Sequence, residues 1–148
     1  MVRSGHVKGP MNQTVKHHAS VMAYGCFSSS GVRDLTVVEG HMNAETYIRI
    51  LSSHMIPAAR RLFEETYSFQ QDNDPKHTAS DVKKYLERKE IKVLDWPCQS
   101  PDLNPIEKLW HKLKTLVNEE KVKKLSELPE LMIKCWESIS PEYCNKLV

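Results

Sequence analysis

A chain of 148 residues with 40% hydrophobic and 27% charged side chains is long enough for one domain with its own core and too short for a second full domain. Its net charge of +2 does not by itself mark a polyanion binder, and four scattered cysteines without a CxxC pair exclude a zinc ribbon or a dense disulfide framework. No apolar run approaches the ~18 residues of a bilayer span and no signal-like segment follows Met1, so a soluble intracellular protein with free thiols is expected.

Met1 to Gln13 mixes Gly, Pro, Ser, Lys and Arg without periodicity, which reads as a flexible leader ahead of a folded domain over 14–148. Val15 to Phe27 and Val32 to Glu39 are rich in β-branched and aromatic residues and flank Ser28-Ser29-Ser30-Gly31, so they read as a β-hairpin. Asn43 is placed to cap a helix with Tyr47, Ile48, Leu51 and Met55 at helical spacing, which Pro57 should kink or interrupt before Ala59, Leu62 and Phe63. Tyr67 to Asp72 reads as a short strand, with Asp72 at its C-terminal edge. Thr78 and Asp81 form a capping-box pattern for a helix carrying Val82, Tyr85 and Leu86, and Ile91 to Trp96 reads as the next strand. That β-α-β order favours a right-handed crossover between parallel neighbours.

Asn104-Pro105 offers an N-cap and a first helical residue for a helix striped by Ile106, Leu109, Trp110, Leu113 and Val117. A last helix is expected from about Ser126, with Leu128, Leu131, Met132, Cys135, Trp136 and Ile139 apolar and Pro129 in its first turn. Trp96, Trp110 and Trp136 lie on apolar patterns and are read as core.

Two acids stand out: Asp72 in Gln70-Gln71-Asp72-Asn73-Asp74-Pro75-Lys76-His77, and Glu107 in Ser100-Pro101-Asp102-Leu103-Asn104-Pro105-Ile106-Glu107. The 34 residues between them hold one helix pattern and one strand pattern, so a chain that returns to its starting edge could bring both carboxylates to one metal site. Carboxylates are the hard oxygen ligands that hold Mg²⁺ or Mn²⁺ in phosphoryl transfer. Each acid also has a plainer reading. Asn104-x-x-Glu107 is a capping box, and Asp72-Asn73-Asp74-Pro75 is a turn in which an Asp commonly bonds its own backbone.

These two segments, with Ser20-Val21-Met22-Ala23-Tyr24-Gly25-Cys26-Phe27-Ser28-Ser29-Ser30-Gly31, Gly40-His41-Met42-Asn43-Ala44 and Ile139-Ser140-Pro141-Glu142-Tyr143-Cys144, closely resemble the Tc1-like transposases of the Tc1/mariner superfamily. The resemblance runs from about Thr14 to Leu147. It implies an α/β, RNase H-like domain that cuts and joins DNA with Mg²⁺ or Mn²⁺ held by an Asp-Asp-Glu triad, with Asp72 as the second catalytic and metal-binding acid and Glu107 as the third. Such enzymes carry the first Asp on the opening strand, in an acidic segment well before the block that begins here at Ser20. Only nineteen residues precede Ser20 and none is Asp or Glu, so the first catalytic strand and its acid are expected to be missing and catalysis crippled. Asp34, on the second hairpin strand, reads as solvated rather than as a substitute; Asp74 and Asp102 neighbour the two retained acids.

His77 matches the family's Asp-Asn-x-Pro-x-His block, which implies a supporting or substrate-contacting role; fixing the loop by hydrogen bonding is the alternative. Asn73, Lys76, Lys108 and Lys112 are candidate supporting or DNA-contacting residues for non-specific phosphate binding, against a reading as solvated helix faces. His17-His18 would point to opposite strand faces and is not read as a metal pair. The partners implied are DNA, a second copy or a longer transposase, in the nucleus and without a membrane. A non-enzymatic DNA- or protein-binding module is the rival reading.

Overall fold

The computed structural model describes residues 2–10, 20–63, 67–95 and 104–148, with the side chains of 2–10 and 20 left aside. Strands β1 (Val2–Pro10), β2 (Ser20–Ser28) and β3 (Gly31–Val38) precede α1 (Ala44–Ile50), a π-helical turn (Leu51–Met55), α2 (Ile56–Phe63), β4 (Ser68–Gln70), α3 (Pro75–Thr78), α4 (Ser80–Arg88) and β5 (Lys92–Val93). There follow α5 (Pro105–Glu119), a 3₁₀ turn (Leu125–Glu127), α6 (Leu128–Glu137) and α7 (Pro141–Asn145). The sheet order is β3-β2-β1-β4-β5, antiparallel across β1, β2 and β3 and parallel across β1, β4 and β5.

The sheet corrects one sequence expectation. Val2–Pro10, expected to belong to a flexible leader, is instead the central strand, paired with β2 from Arg3↔Phe27 to Pro10↔Ser20 and with β4 at Val2↔Phe69 and Arg3↔Gln70. Neighbours on both sides satisfy its backbone, and such pairing overrides a weak local propensity. The place of an opening strand is thus filled, but by nine residues without a carboxylate. Residues 11–19, which include His17 and His18, lie outside the described residues, as do Trp96, Cys98 and Asp102.

The expected hairpin is β2 and β3, joined by Ser29 and Ser30. Ser30 N–H donates to Ser28 Oγ at 3.2 Å, and Gly31 follows at φ +124°, where an L side chain is strained. Side chains of β2 alternate between two cores. Ala23 and Phe27 pack with α5 and α6 residues such as Leu109, Trp110, Leu113, Met132 and Trp136, while Tyr24 and Cys26 pack with Tyr47, Leu51 and Met55 from the α1 side and Val82 and Leu86 from α4. The result is a sheet with helices on both faces.

Asn43 caps α1 as expected, its Oδ1 accepting from Thr46 N–H at 2.8 Å. Pro57 does not break the helix. The disturbance lies one turn earlier, in the π turn Leu51–Met55, where Ile56 N–H reaches back to Leu51 O. Widening the helix there relieves the clash that a proline ring makes with the preceding turn. The capping box at Thr78 and Asp81 is not formed: Thr78 ends α3, its hydroxyl donates to Asp74 O at 3.3 Å, and Ala79 stands at the N-cap of α4 without a side-chain bond. The strand expected over Ile91 to Trp96 is confined to Lys92–Val93, extended by Leu94 N–H donating to Phe69 O at 2.8 Å. Pro129 sits in the first turn of α6, and α7, unforeseen, is capped by Ser140. Cys26, Cys135 and Cys144 are buried free thiols, and burial pushes Cys26 up to about 12.

Candidate active site

Asp72 and Glu107 lie within electrostatic reach of one another. Asp72 lies two residues beyond Gln70, the last residue of β4, and Glu107 is in the first turn of α5, which Asn104 and Pro105 open. Partial desolvation holds the Glu107 carboxyl above its usual value, and the charge of Asp72 pushes it in the same direction against the opposing charge of Lys114. Two acids far apart in sequence therefore share one field.

Each plainer reading meets a different outcome. The side chain of Asn104 makes no capping bond, and the contact at this helix start is Glu107 N–H donating to the backbone oxygen of Asn104 at 3.1 Å. For Asp72 the turn reading does hold, since Asp74 N–H donates to Asp72 Oδ1 at 3.1 Å. The same oxygen also meets His77 Nδ1. An ionised carboxylate only accepts, so His77 carries its proton on Nδ1.

His77 is buried, and its ring stacks on Tyr47 of α1 with centroids 4.1 Å apart. Tyr47 Oη donates to Gln71 Oε1 at 2.7 Å, and Gln71 Nε2 donates to the backbone oxygen of His77 at 3.1 Å. Of His77's two roles, the loop-fixing one is therefore visible. Tyr47 and Gln71 belong to this arrangement but were read only as a helix stripe and a strand residue. The available signal was Gln71 itself, a polar side chain in a strand with helices on either side, because a buried amide needs partners.

Lys76, expected to be a phosphate contact, is tied to Asp74 by Nζ at 2.7 Å from Oδ2. Asp74 also caps α3 by accepting from Lys76 N–H. Burial works to raise its carboxyl, but the two hydrogen bonds to Lys76, with the charges of Lys76 and His77, bring it below its usual value. Asn73 and Lys108 are exposed and Lys112 is half-buried. Asp34 is exposed and 3.8 Å from His54 Nδ1, as befits a solvated strand residue. A cleft of about 440 Å³ lined by Asp72, Asn73, Thr78, Lys83, Leu86 and Asp95, among others, opens beside the site.

The raised Glu107 carboxyl has a thermodynamic sign. The unfolded chain ionises it first, so as pH rises through the ordinary carboxylate range this group costs stability, and the cost persists at higher pH. Glu107→Gln is therefore expected to hold or raise the melting temperature at neutral pH and to flatten its fall with rising pH. Thermal melts between about pH 4 and 7 check this; a lower melting temperature would return Glu107 to a helix-capping role.

The family model described as DDE superfamily endonuclease matches residues 3–129, and the chain belongs to that family. Within it, this is a DDE domain of the Tc1/mariner kind, as its relatives show. The Tcb2 transposase of Caenorhabditis briggsae is 40% identical over 128 residues, 86% of this chain and 47% of that protein. The Tc1 transposase of Caenorhabditis elegans is 37% identical over 136 residues, 91% of this chain and 50% of that protein. The chain thus spans about half the length of the curated relatives it matches. In fold it resembles the Mos1 transposase catalytic domain solved with Raltegravir and Mg, at a TM-score of 0.83 and 21% identity over 99% of this chain and 75% of that one. The Mos1 paired-end complex with left transposon end gives 0.85 and 19%, covering 99% of this chain and 50% of that one. The RNase H-like fold expected from the resemblance is confirmed.

Among the described residues no helix is long and apolar enough to cross a membrane, and no group of three His, Cys, Asp or Glu side chains is placed to hold a metal ion. Among the described residues, Asp72 and Glu107 fit a divalent cation in kind, as hard carboxylate oxygens, but two acids are fewer than such an ion takes.

Proposed function

We propose that this chain is the catalytic platform of a Tc1-like transposase, with Asp72 and Glu107 as ligands for Mg²⁺ or Mn²⁺, and that these 148 residues alone do not complete the site. The observation that supports the pairing is where the two acids sit, Asp72 two residues beyond β4 and Glu107 in the first turn of α5, with the charge of Asp72 acting to raise the Glu107 carboxyl. When bound, the ions would supply Lewis-acid stabilisation of the attacking and leaving oxygens of a DNA phosphodiester. Strand cleavage and transfer is the reaction proposed for the site, and with two acids of the triad assigned among the described residues, its catalysis by these residues alone is proposed to be crippled.

DNA is the proposed partner. Asn73, Lys108 and Lys112 are the proposed contacts to phosphate, of a kind that ignores sequence and weakens with salt. Mos1 has been solved as a paired-end complex with a transposon end, which supports self-association or pairing with a longer transposase here too. The likeness to transposases supports a nuclear location. A second reading, a DNA- or protein-binding module without catalysis, is favoured by the lack of a third metal-ligating side chain among the described residues.

Calorimetric titration with Mn²⁺ and nicking of supercoiled DNA, run on the parent chain and on Asp72→Asn/Glu107→Gln, test the proposal. Weak Mn²⁺ binding that the double variant loses, with no nicking by either chain, is the expected result. Binding that survives both substitutions would remove Asp72 and Glu107 as ligands, and nicking that the double variant abolishes would show a complete site.

A further inference from the structure

We infer that Tyr47, on the opposite side of the sheet from α5, is a positioning residue for the Asp72 carboxylate and acts through His77. The inference rests on the reading of Asp72 as a metal ligand and extends it to a helix that contributes no acid. Tyr47 holds His77 in two independent ways. Its ring lies against the imidazole, with an interplanar angle of 26° and centroids 4.1 Å apart. Its hydroxyl orients the Gln71 amide, which leaves Nε2 aimed at the His77 carbonyl at 3.1 Å. The ring is thus fixed by stacking and the backbone behind it by the amide, so Nδ1 is presented to Asp72 Oδ1 in one orientation.

Burial makes this arrangement stiff. Tyr47 is 0%, His77 1% and Gln71 7% exposed, whereas the Asp72 side chain is 34% exposed. Asp74 N–H already holds Asp72 Oδ1 from the turn, His77 adds a second donor to the same oxygen, and a divalent ion needs its carboxylate oxygens in a fixed orientation. Tyr24 meets the Tyr47 ring edge-on with centroids 5.9 Å apart, and Tyr24 is itself in the central layer, so the chain of contacts is anchored in the sheet.

The claim separates contact from mere packing. Tyr47→Phe keeps the ring and removes only the hydroxyl, Gln71→Met keeps the length and removes both amide bonds, and Tyr47→Leu removes ring and hydroxyl together. In ¹⁵N-histidine-labelled protein, hydrogen exchange of the His77 Nδ1 proton should speed up roughly fivefold or more in Tyr47→Phe and in Gln71→Met, about the effect of one lost hydrogen bond, and further in Tyr47→Leu. Mn²⁺ broadening of Asp72 resonances should weaken in the same order in chains whose circular dichroism is unchanged. Unaltered exchange in both Tyr47→Phe and Gln71→Met overturns the inference. Absence of Mn²⁺ broadening in every chain, parent included, overturns the metal reading of Asp72 instead, and the exchange rates still decide whether Tyr47 holds His77.

Discussion

Gly5→Asp is expected to turn the chain into a distinctly better binder of Mn²⁺, by at least about tenfold, since even partners one shell removed from a metal are worth 10–100-fold. The choice of Gly5 follows from backbone register. β1 runs parallel to β4 with Val2↔Phe69 and Arg3↔Gln70, and continuing by two residues sets Gly5 level with Asp72. Across the other neighbour, Gly5 pairs with Gly25, whose absent Cβ would face Trp110 and Trp136 of α5 and α6. Directly opposed residues share a sheet face, so position 5 lies on the face of α5, the helix that carries Glu107. A third carboxylate there should repel the other two in the absence of metal. The melting temperature should therefore fall in chelator and recover with Mn²⁺, because a ligand that binds only the folded state stabilises it by mass action. A variant that folds, by circular dichroism, yet melts at the same temperature with and without Mn²⁺ would show that β1 does not hold this register beside Asp72.

Trp136→Ala should be the most damaging single change in the core beneath the site. Trp136 is 1% exposed and stacks on Trp110 with centroids 5.0 Å apart, and its Nε1 donates to the backbone oxygen of Arg33 on β3. Emptying such a position costs about 3–5 kcal/mol, or a melting temperature lower by roughly 6–20 °C in a domain of this size. The same two rings leave no room at Gly25, where a Cβ would lie 2.9 Å from Trp110 Cη2 and 2.9 Å from Trp136 Cζ2. Gly25→Ala alone should cost about 1–3 kcal/mol through overpacking. Combined with Trp136→Ala it should cost clearly less than the sum, because the cavity left by the indole accepts the new methyl group. Additive losses in denaturant titrations would contradict this packing.

The elements that carry strong local patterns were legible in the sequence: the β2–β3 hairpin around its serines, the Asn43 cap, the α5 stripe and Pro129 in the first turn of α6. The sequence missed what long-range pairing decides. Val2–Pro10, with glycines, a proline and charges, has no alternation to announce a strand, and it becomes one through partners on both sides. At the site, the motif pattern pointed to Asp72, Glu107 and His77, while Tyr47 and Gln71 stayed hidden because each fits an ordinary stripe or strand. The ion pair of Lys76 with Asp74 was not legible either, because nothing in the order of residues shows which carboxylate its ammonium group meets.

The unequal pairing of β1 bears on how the domain assembles. Eight register pairs tie β1 to its sequence neighbour β2, and two tie it to β4, whose Phe69 lies 69 − 2 = 67 positions after Val2. The β1–β2–β3 meander can form from nearby segments, whereas the junction with β4 must close a long loop before any contact rewards it. The sheet therefore has a narrow seam down its middle, with the parallel half carrying Asp72 on one side. Parting this seam must also open the core in which Tyr24 and Cys26 of β2 pack with Phe69 of β4 and with Val82 and Leu86 of α4, so the separation of Asp72 and Glu107 is held by side-chain packing more than by the strand ladder.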